Sequence, residues 1–170
     1  MTLVLTDAVR LLLFPAVMAF AASSDLLTMT ISNRVSLLLV AGFLAMAAAT
    51  GMPMVDVLSH FGAGATMLVI SFTFFARGWI GGGDAKLAAA TALWLGFDHL
   101  FDYALYASLF GGVLTFALIR FRFMPLPKAL EGQEWLARLH SVNSGIPYGI
   151  ALAAAALMVY PHTAWMTLFG

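Results

Sequence analysis

Apolar residues gather into long continuous runs at 4–24, 35–50, 54–75, 85–97, 102–121 and 146–168, parted by short clusters of polar, charged and glycine positions. The runs do not alternate as the strands of a membrane barrel would. In lipid a helix satisfies its own backbone. The pattern therefore predicts an all-α integral membrane protein with six transmembrane helices and no internal repeat. Composition agrees: 62% of the 170 residues are hydrophobic and 9% are charged, against roughly 25% charged in a soluble domain. Such a chain cannot cover a water-facing surface, so the bilayer is its main partner. The run Leu11–Ala22, closing on the small residues of AFAAS at 19–23, is similar to a secretory signal, but Asp7 beside Arg10 removes the basic start, and the segment is read as a retained span. Residues 1–170 form a single membrane-embedded domain on this reading.

Charge sets the orientation. Arg34 lies between spans 1 and 2; Arg77 and Lys86 flank the turn between spans 3 and 4; Arg120, Arg122, Lys128 and Arg138 lie between spans 5 and 6. Of the eight basic residues only Arg10 falls on the other side. The positive-inside rule then places the long 5–6 loop, and the 1–2 and 3–4 turns, in the cytoplasm, with both termini outside it, as for a multi-pass protein of a bacterial plasma membrane. Within that loop, Lys128–His140 is expected to form a short interfacial helix with Leu130, Trp135, Leu136 and Leu139 on one face, or else a solvated linker. Net charge is zero, which argues against a nucleic-acid partner. There are no cysteines, so disulfides, thiolate metal sites and a cysteine nucleophile are excluded. The histidines at 60, 99, 140 and 162 show no ligand spacing, and no metal or other cofactor is expected.

The acids carry the candidate chemistry. Asp7, Asp56, Asp98 and Asp102 sit at the other, non-cytoplasmic span ends, and Glu131 and Glu134 sit in the long loop. Asp25 and Asp84 remain, both embedded in apolar sequence at cytoplasmic helix ends. Span 4 begins at the turn GGGD, residues 81–84, and is only roughly 20 Å long at 1.5 Å per residue. It cannot cross a core about 30 Å thick unless its ends dip below the headgroups. Asp84 would then lie beneath the lipid surface at a helix N-terminus, with Gly81 and Gly83 leaving room for another chain. The plain alternatives are an N-cap for Asp84 and a solvated helix end for Asp25. If spans 1 and 4 pack together, the two carboxylates meet at one depth. A close pair shares a proton, so one member can take a proton from attacking water while the other donates to a peptide carbonyl. A transporter or channel with a glycine-broken span, or a membrane subunit with both acids as caps, are the competing readings.

GGGDAKL at 81–87 resembles the GxGD motif of the prepilin peptidase family of membrane aspartic proteases. Asp25 followed by Ile31 and Asn33 is similar to that family's first aspartate motif, with Ser32 where proline is usual, and IPYGIALAAA at 146–155 resembles its C-terminal segment. The resemblance implies an aspartic endopeptidase with Asp25 and Asp84 as the catalytic pair, acting on type IV prepilin or pseudopilin precursors. The cut falls at the cytoplasmic face, just after a short basic leader. With no four-cysteine region, the chain is similar to the small stand-alone type of tight-adherence (Flp) pili, for which methyl transfer is not implied. Gly81, Gly83, Lys86, Asn33, Pro147 and Gly149 would shape the site. Lys86 would either favour an ionised Asp84 or anchor at the headgroups. Asn33 would bind a loop or substrate backbone, or cap a helix. Pro147 and Gly149 would break span 6 near the site or simply start a helix. Glu131 and Glu134 are candidate contacts for the basic leader.

Overall fold

The computed structural model describes residues 2–126 and 132–167, with the side chains of 2–10 and of Thr167 left aside. Its elements are α1 (Thr2–Thr28), α2 (Asn33–Thr50), α3 (Met54–Ala76), α4 (Gly82–Leu95), α5 (Leu100–Arg122), α6 (Glu134–His140), α7 (Tyr148–Val159) and α8 (Ala164–Thr167), with 3₁₀ turns at Phe97–His99 and Tyr160–His162. No strand occurs among the described residues. The helical expectation holds, and four of the expected spans are met by length and composition among the described residues. Four segments are long and apolar enough to cross a membrane: Leu11–Thr28, Asn33–Thr50, Met54–Ala76 and Phe97–Arg122. Helix α4 falls short, and the expected last span is broken, because α7 passes into the Tyr160–His162 turn before α8 begins. Hydropathy registers apolar length and is blind to where a buried backbone turns.

Helix α4 is the axis of the molecule. It packs against α2, α3, α5 and α7, and Ala85, Leu87, Ala88, Ala90, Thr91, Ala92, Leu93, Trp94 and Leu95 are all buried. A helix apolar on every side belongs inside a bundle, so α4 is shielded from lipid by its neighbours and need not match the bilayer thickness. Small residues bring α3 and α4 close: a Cβ on Gly64 would lie 3.3 Å from the Ala89 carbonyl oxygen and from Leu93 Cβ. The far end of α4 is closed by side chains. Trp165 Nε1 donates to the Trp94 carbonyl at 2.7 Å, the Leu93 carbonyl lies 2.7 Å from His60 Nδ1, and Trp94 Nε1 donates to Leu39 O at 2.8 Å. The first two contacts satisfy carbonyls that the C-terminus of α4 otherwise leaves open, and the third ties Trp94 to α2. Large apolar side chains such as Leu12, Phe20, Val69, Phe72, Val113 and Phe116 face outward, as suits a lipid-solvated surface.

The loop before α7 differs from the expected Lys128–His140 helix. The helix there runs only over Glu134–His140, and of its apolar residues only Leu139 is buried, with Trp135 and Leu136 half-buried. Lys128 and Leu130 lie outside the described residues. Arginines fasten this region to the bundle. Arg122 Nε donates to Leu139 O at 2.9 Å, its Nη2 donates to Ser144 O at 3.1 Å and Gly145 O at 2.7 Å, and Arg138 Nη1 donates to Leu27 O at 2.9 Å.

Candidate active site

Three helix ends converge at the acids, and each is shaped by local sequence. Helix α1 runs past the expected boundary at residue 24 to Thr28, so Asp25 lies inside its last turn rather than after it. Met29 then turns the chain in the left-handed region at φ 55°, its N–H donating to Asp25 O at 2.8 Å. Ser32 sits at φ −64° and ψ 140° and caps α2, its hydroxyl accepting from Arg34 N at 3.3 Å. That φ is the angle a proline ring imposes, so a proline would fit this backbone, and serine adds a cap. The cap role weighed for Asn33 therefore belongs to Ser32.

Asp84 occupies the third position of α4, and the N-cap is Gly81 at φ −74°. The carboxylate folds back to accept from Gly81 N at 3.0 Å, the returning half of a capping box. A Cβ on Gly81 would stand 2.9 Å from Asp84 Oδ2, so this close return requires glycine. Asp84 and Asp25 are both buried, at 7% and 4% exposure.

Asp25 is tied to the start of α7, where Gly149 N donates to its Oδ2 at 2.7 Å. Asp84, in the first turn of α4, belongs to the same junction, because Ile31 packs against both Gly83 and Gly149. Pro147, at the head of α7, lets the Gly149 N–H face inward, because the free donors of a first turn need partners outside their helix. The electrostatics follow from helix direction. Asp25 sits at the C-terminal end of its own helix, where the macrodipole disfavours an anion; the N-termini of α4 and α7 both point their positive ends at the pair. Two converging N-termini are what allow negative charge in so apolar a chain.

Ile31 holds this junction together, and hydropathy gave no reason to single it out for packing. A Cβ on Gly83 would lie 3.1 Å from both Ile31 Cβ and Ile31 O, and a Cβ on Gly149 would lie 2.6 Å from Ile31 Cδ1. The isoleucine is thus wedged between α4 and α7. Lys86 is placed away from the acids. It stands two residues on from Asp84, about 200° around the helix, is exposed, and donates from Nζ to Asn33 Oδ1 at 2.8 Å. Glu134 is exposed in the first turn of α6, and Glu131 lies outside the described residues. No group of three or more His, Cys, Asp or Glu side chains that could hold a metal occurs among the described residues.

An open cleft of about 590 Å³ runs from Asp84 between α3 and α5, floored by α4 and α7. A second of about 560 Å³ lies on the opposite side of α4, beside Asn33 and Lys86. Apolar spanning helices, a central short helix and two buried carboxylates gathered at one bundle end define the class as a polytopic membrane protein with an acidic centre. The model of the type IV leader peptidase family matches residues 12–116, and the chain belongs to that family. It is accordingly a membrane-embedded protease of the leader-peptidase kind, whose family substrates are prepilins. The matched stretch contains both acids and ends before α7. No curated protein and no solved structure matches the chain.

Proposed function

We propose that the chain is an aspartic endopeptidase in which Asp25 and Asp84 act as one catalytic pair, and that the whole of residues 1–170 serves this single function. The observation that supports the reading is the convergence at Gly149: its amide donates to Asp25 Oδ2 at 2.7 Å, and Ile31 packs against both Gly149 and Gly83, the neighbour of Asp84. Carboxylates brought together in this way hold one proton between them. A water between them gives a proton to the ionised member as its oxygen attacks the peptide carbonyl. The protonated member donates to the carbonyl oxygen. Collapse of the tetrahedral intermediate breaks the C–N bond, and the leaving amine takes up a proton from the pair. The dipoles of α4 and α7 favour the net negative charge throughout.

The substrate on this reading is a type IV prepilin, of the Flp type, cut just after its basic leader. The site faces the cytoplasm across a bacterial plasma membrane. Arg34, Arg77, Lys86, Arg120, Arg122 and Arg138 all belong to the helix ends, turns and loop on the side of the acids, which supports that orientation. Nothing in the family match favours the transporter or the non-catalytic subunit.

The test uses amides. Asn at position 84 can still accept from Gly81 N, and Asn at position 25 from Gly149 N, so Asp25→Asn and Asp84→Asn keep the structural contacts while removing the acid. Each should abolish cleavage of a full-length Flp-type prepilin in membranes, with the protein still folded. If either acid were only a cap, its Asn variant would cleave nearly normally, and Asp→Ala would lose about 0.5–2 kcal/mol of stability.

A further inference from the structure

We propose that the groove between α2 and α3, on the face of α4 turned away from the acids, binds one anionic phospholipid, with Lys86 and Asn33 taking its phosphate and an acyl chain lying against α4. The inference stands apart from the peptidase reading. Helices α2 and α3 both pack on α4 but scarcely on each other, which leaves an open groove of about 560 Å³ between them. From Asp84 to Gly96 every residue is buried except Lys86 and Ala89, which stand one turn apart on one face of the helix. Both line the groove. Beyond its first turn α4 is thus least covered along this line, and the line starts at a cation.

The groove has the polarity of a lipid. Helix α2 has 18 residues, about 27 Å at 1.5 Å per residue, so it spans the hydrocarbon about once and puts Asn33 at its edge. There Lys86 Nζ donates to the neutral Asn33 Oδ1 at 2.8 Å, and no carboxylate among the described residues pairs with it. An ammonium carries three N–H donors, so two remain for an anion. Arg34 is exposed in the same first turn of α2, which holds no acid, and the helix N-terminus adds its dipole. Past this polar head the wall is apolar. Val40, Phe61, Leu68 and Leu93 line it, and from Asn33 to Val40 it runs about 10 Å, most of one leaflet's share of a core about 30 Å thick. A helix about 10 Å across would fill about 800 Å³ over that length, more than the groove offers, whereas an acyl chain is thin. A cation at headgroup depth above an apolar slot selects an anionic head with a chain attached.

Native mass spectrometry of the full chain, released from a neutral detergent containing phosphatidylglycerol or phosphatidylcholine with the same acyl chains, tests this without any cleavage assay. The parent should retain a single phosphatidylglycerol at least about fivefold more tightly than phosphatidylcholine, the effect of one lysine near a lipid surface. Lys86→Met should bring the two lipids within about twofold of each other. Lys86→Arg should keep the preference, because a guanidinium also binds phosphate. Arg120→Gln removes an exposed cation on α5, on the far side of α4, and should change nothing. Ala65 is exposed on the groove wall, and Ala65→Trp should expel the lipid although the charge is intact. Equal retention of both lipids by the parent overturns the proposal, as does a preference that survives Lys86→Met or a folded Ala65→Trp protein that keeps its lipid. Displacement of the lipid by inorganic phosphate would mark a site for free anions, and a dimer lost in Ala65→Trp would mark a contact between copies; either result also overturns it. If Ala65→Trp does not fold, the surface variants at Lys86 decide.

Discussion

The Gly149 amide donates to Asp25 Oδ2 across 2.7 Å, joining residues 124 positions apart in the chain. The bond fixes the first acid against the N-terminus of α7 and leaves no room for a side chain on the donor. A Cβ at Gly149 would lie 2.6 Å from Ile31 Cδ1, 2.8 Å from Asp25 Oδ2 and 3.0 Å from Asp25 Cβ. Its φ is not among the positive values, so the constraint is contact and not backbone conformation. Gly149→Ala should therefore displace the carboxylate while leaving the helix intact. Cleavage should fall about 100-fold, as expected for a shift near 1 Å at a reacting group. The overpacking itself should cost about 1–3 kcal/mol in thermal unfolding in detergent. Normal cleavage by a folded Gly149→Ala protein would show that Asp25 is not held in place by this contact.

Neighbouring glycines of the GGGD turn should respond differently from one another. At Gly81 the added Cβ would lie 2.9 Å from Asp84 Oδ2 and force the carboxylate off its bond to the Gly81 amide. At Gly82 the nearest atoms, at 3.3 Å, belong to the partly exposed Phe75 ring, which can move. Gly81→Ala should lose most cleavage. Gly82→Ala, in the first turn of α4, should keep cleavage within a factor of about two to three and gain up to about 1 kcal/mol from helix propensity. Parallel rates and melting curves on the two variants separate a demand of the acid from a demand of the turn.

Much of this was legible in the sequence, because lipid makes one signal loud. Spans of continuous apolar residues located α1, α2, α3 and α5 to within a few residues, and two acids stranded in apolar sequence marked where to look. The short length of the fourth run correctly implied a helix beginning at GGGD. What stayed hidden was tertiary. Ile31 looks like any apolar residue until α4 and α7 close on it from both sides. Tyr103 lies in an ordinary apolar span, and only the packing around α4 buries its hydroxyl completely. The break at Tyr160–His162 escaped because the residues on both sides are equally apolar. Lys86, adjacent to the motif, invited a role at Asp84, but helical rotation turns it toward Asn33.

Arg122 should matter through the loop it holds. Its guanidinium spans the Leu139, Ser144 and Gly145 carbonyls, just ahead of Pro147 and Gly149. Arg122→Gln should loosen this strap, lowering stability by about 1–2 kcal/mol, since charged hydrogen bonds are strong but this one is only half-buried. Limited proteolysis between residues 132 and 147 should speed up, and KM for the prepilin should rise. Arg122→Lys should not restore either property, because an ammonium cannot reproduce the planar fork. Unchanged proteolysis in Arg122→Gln would mean the loop is held by α6 packing alone.

The Lys86–Asn33 bond tests whether the lysine serves the acids or the scaffold. It ties α4 to the first turn of α2 at 2.8 Å on an exposed surface. Water competes there, so Lys86→Met and Asn33→Ala should each cost less than about 1 kcal/mol. The double variant should cost less than the sum of the two, with a coupling of about 0.5–1 kcal/mol in thermal unfolding. Cleavage should stay within about threefold of the parent in all three, because the ammonium points away from Asp84. A folded Lys86→Met protein that has lost cleavage altogether, with Asn33→Ala unaffected, would place the lysine's charge in the chemistry and overturn a purely structural role.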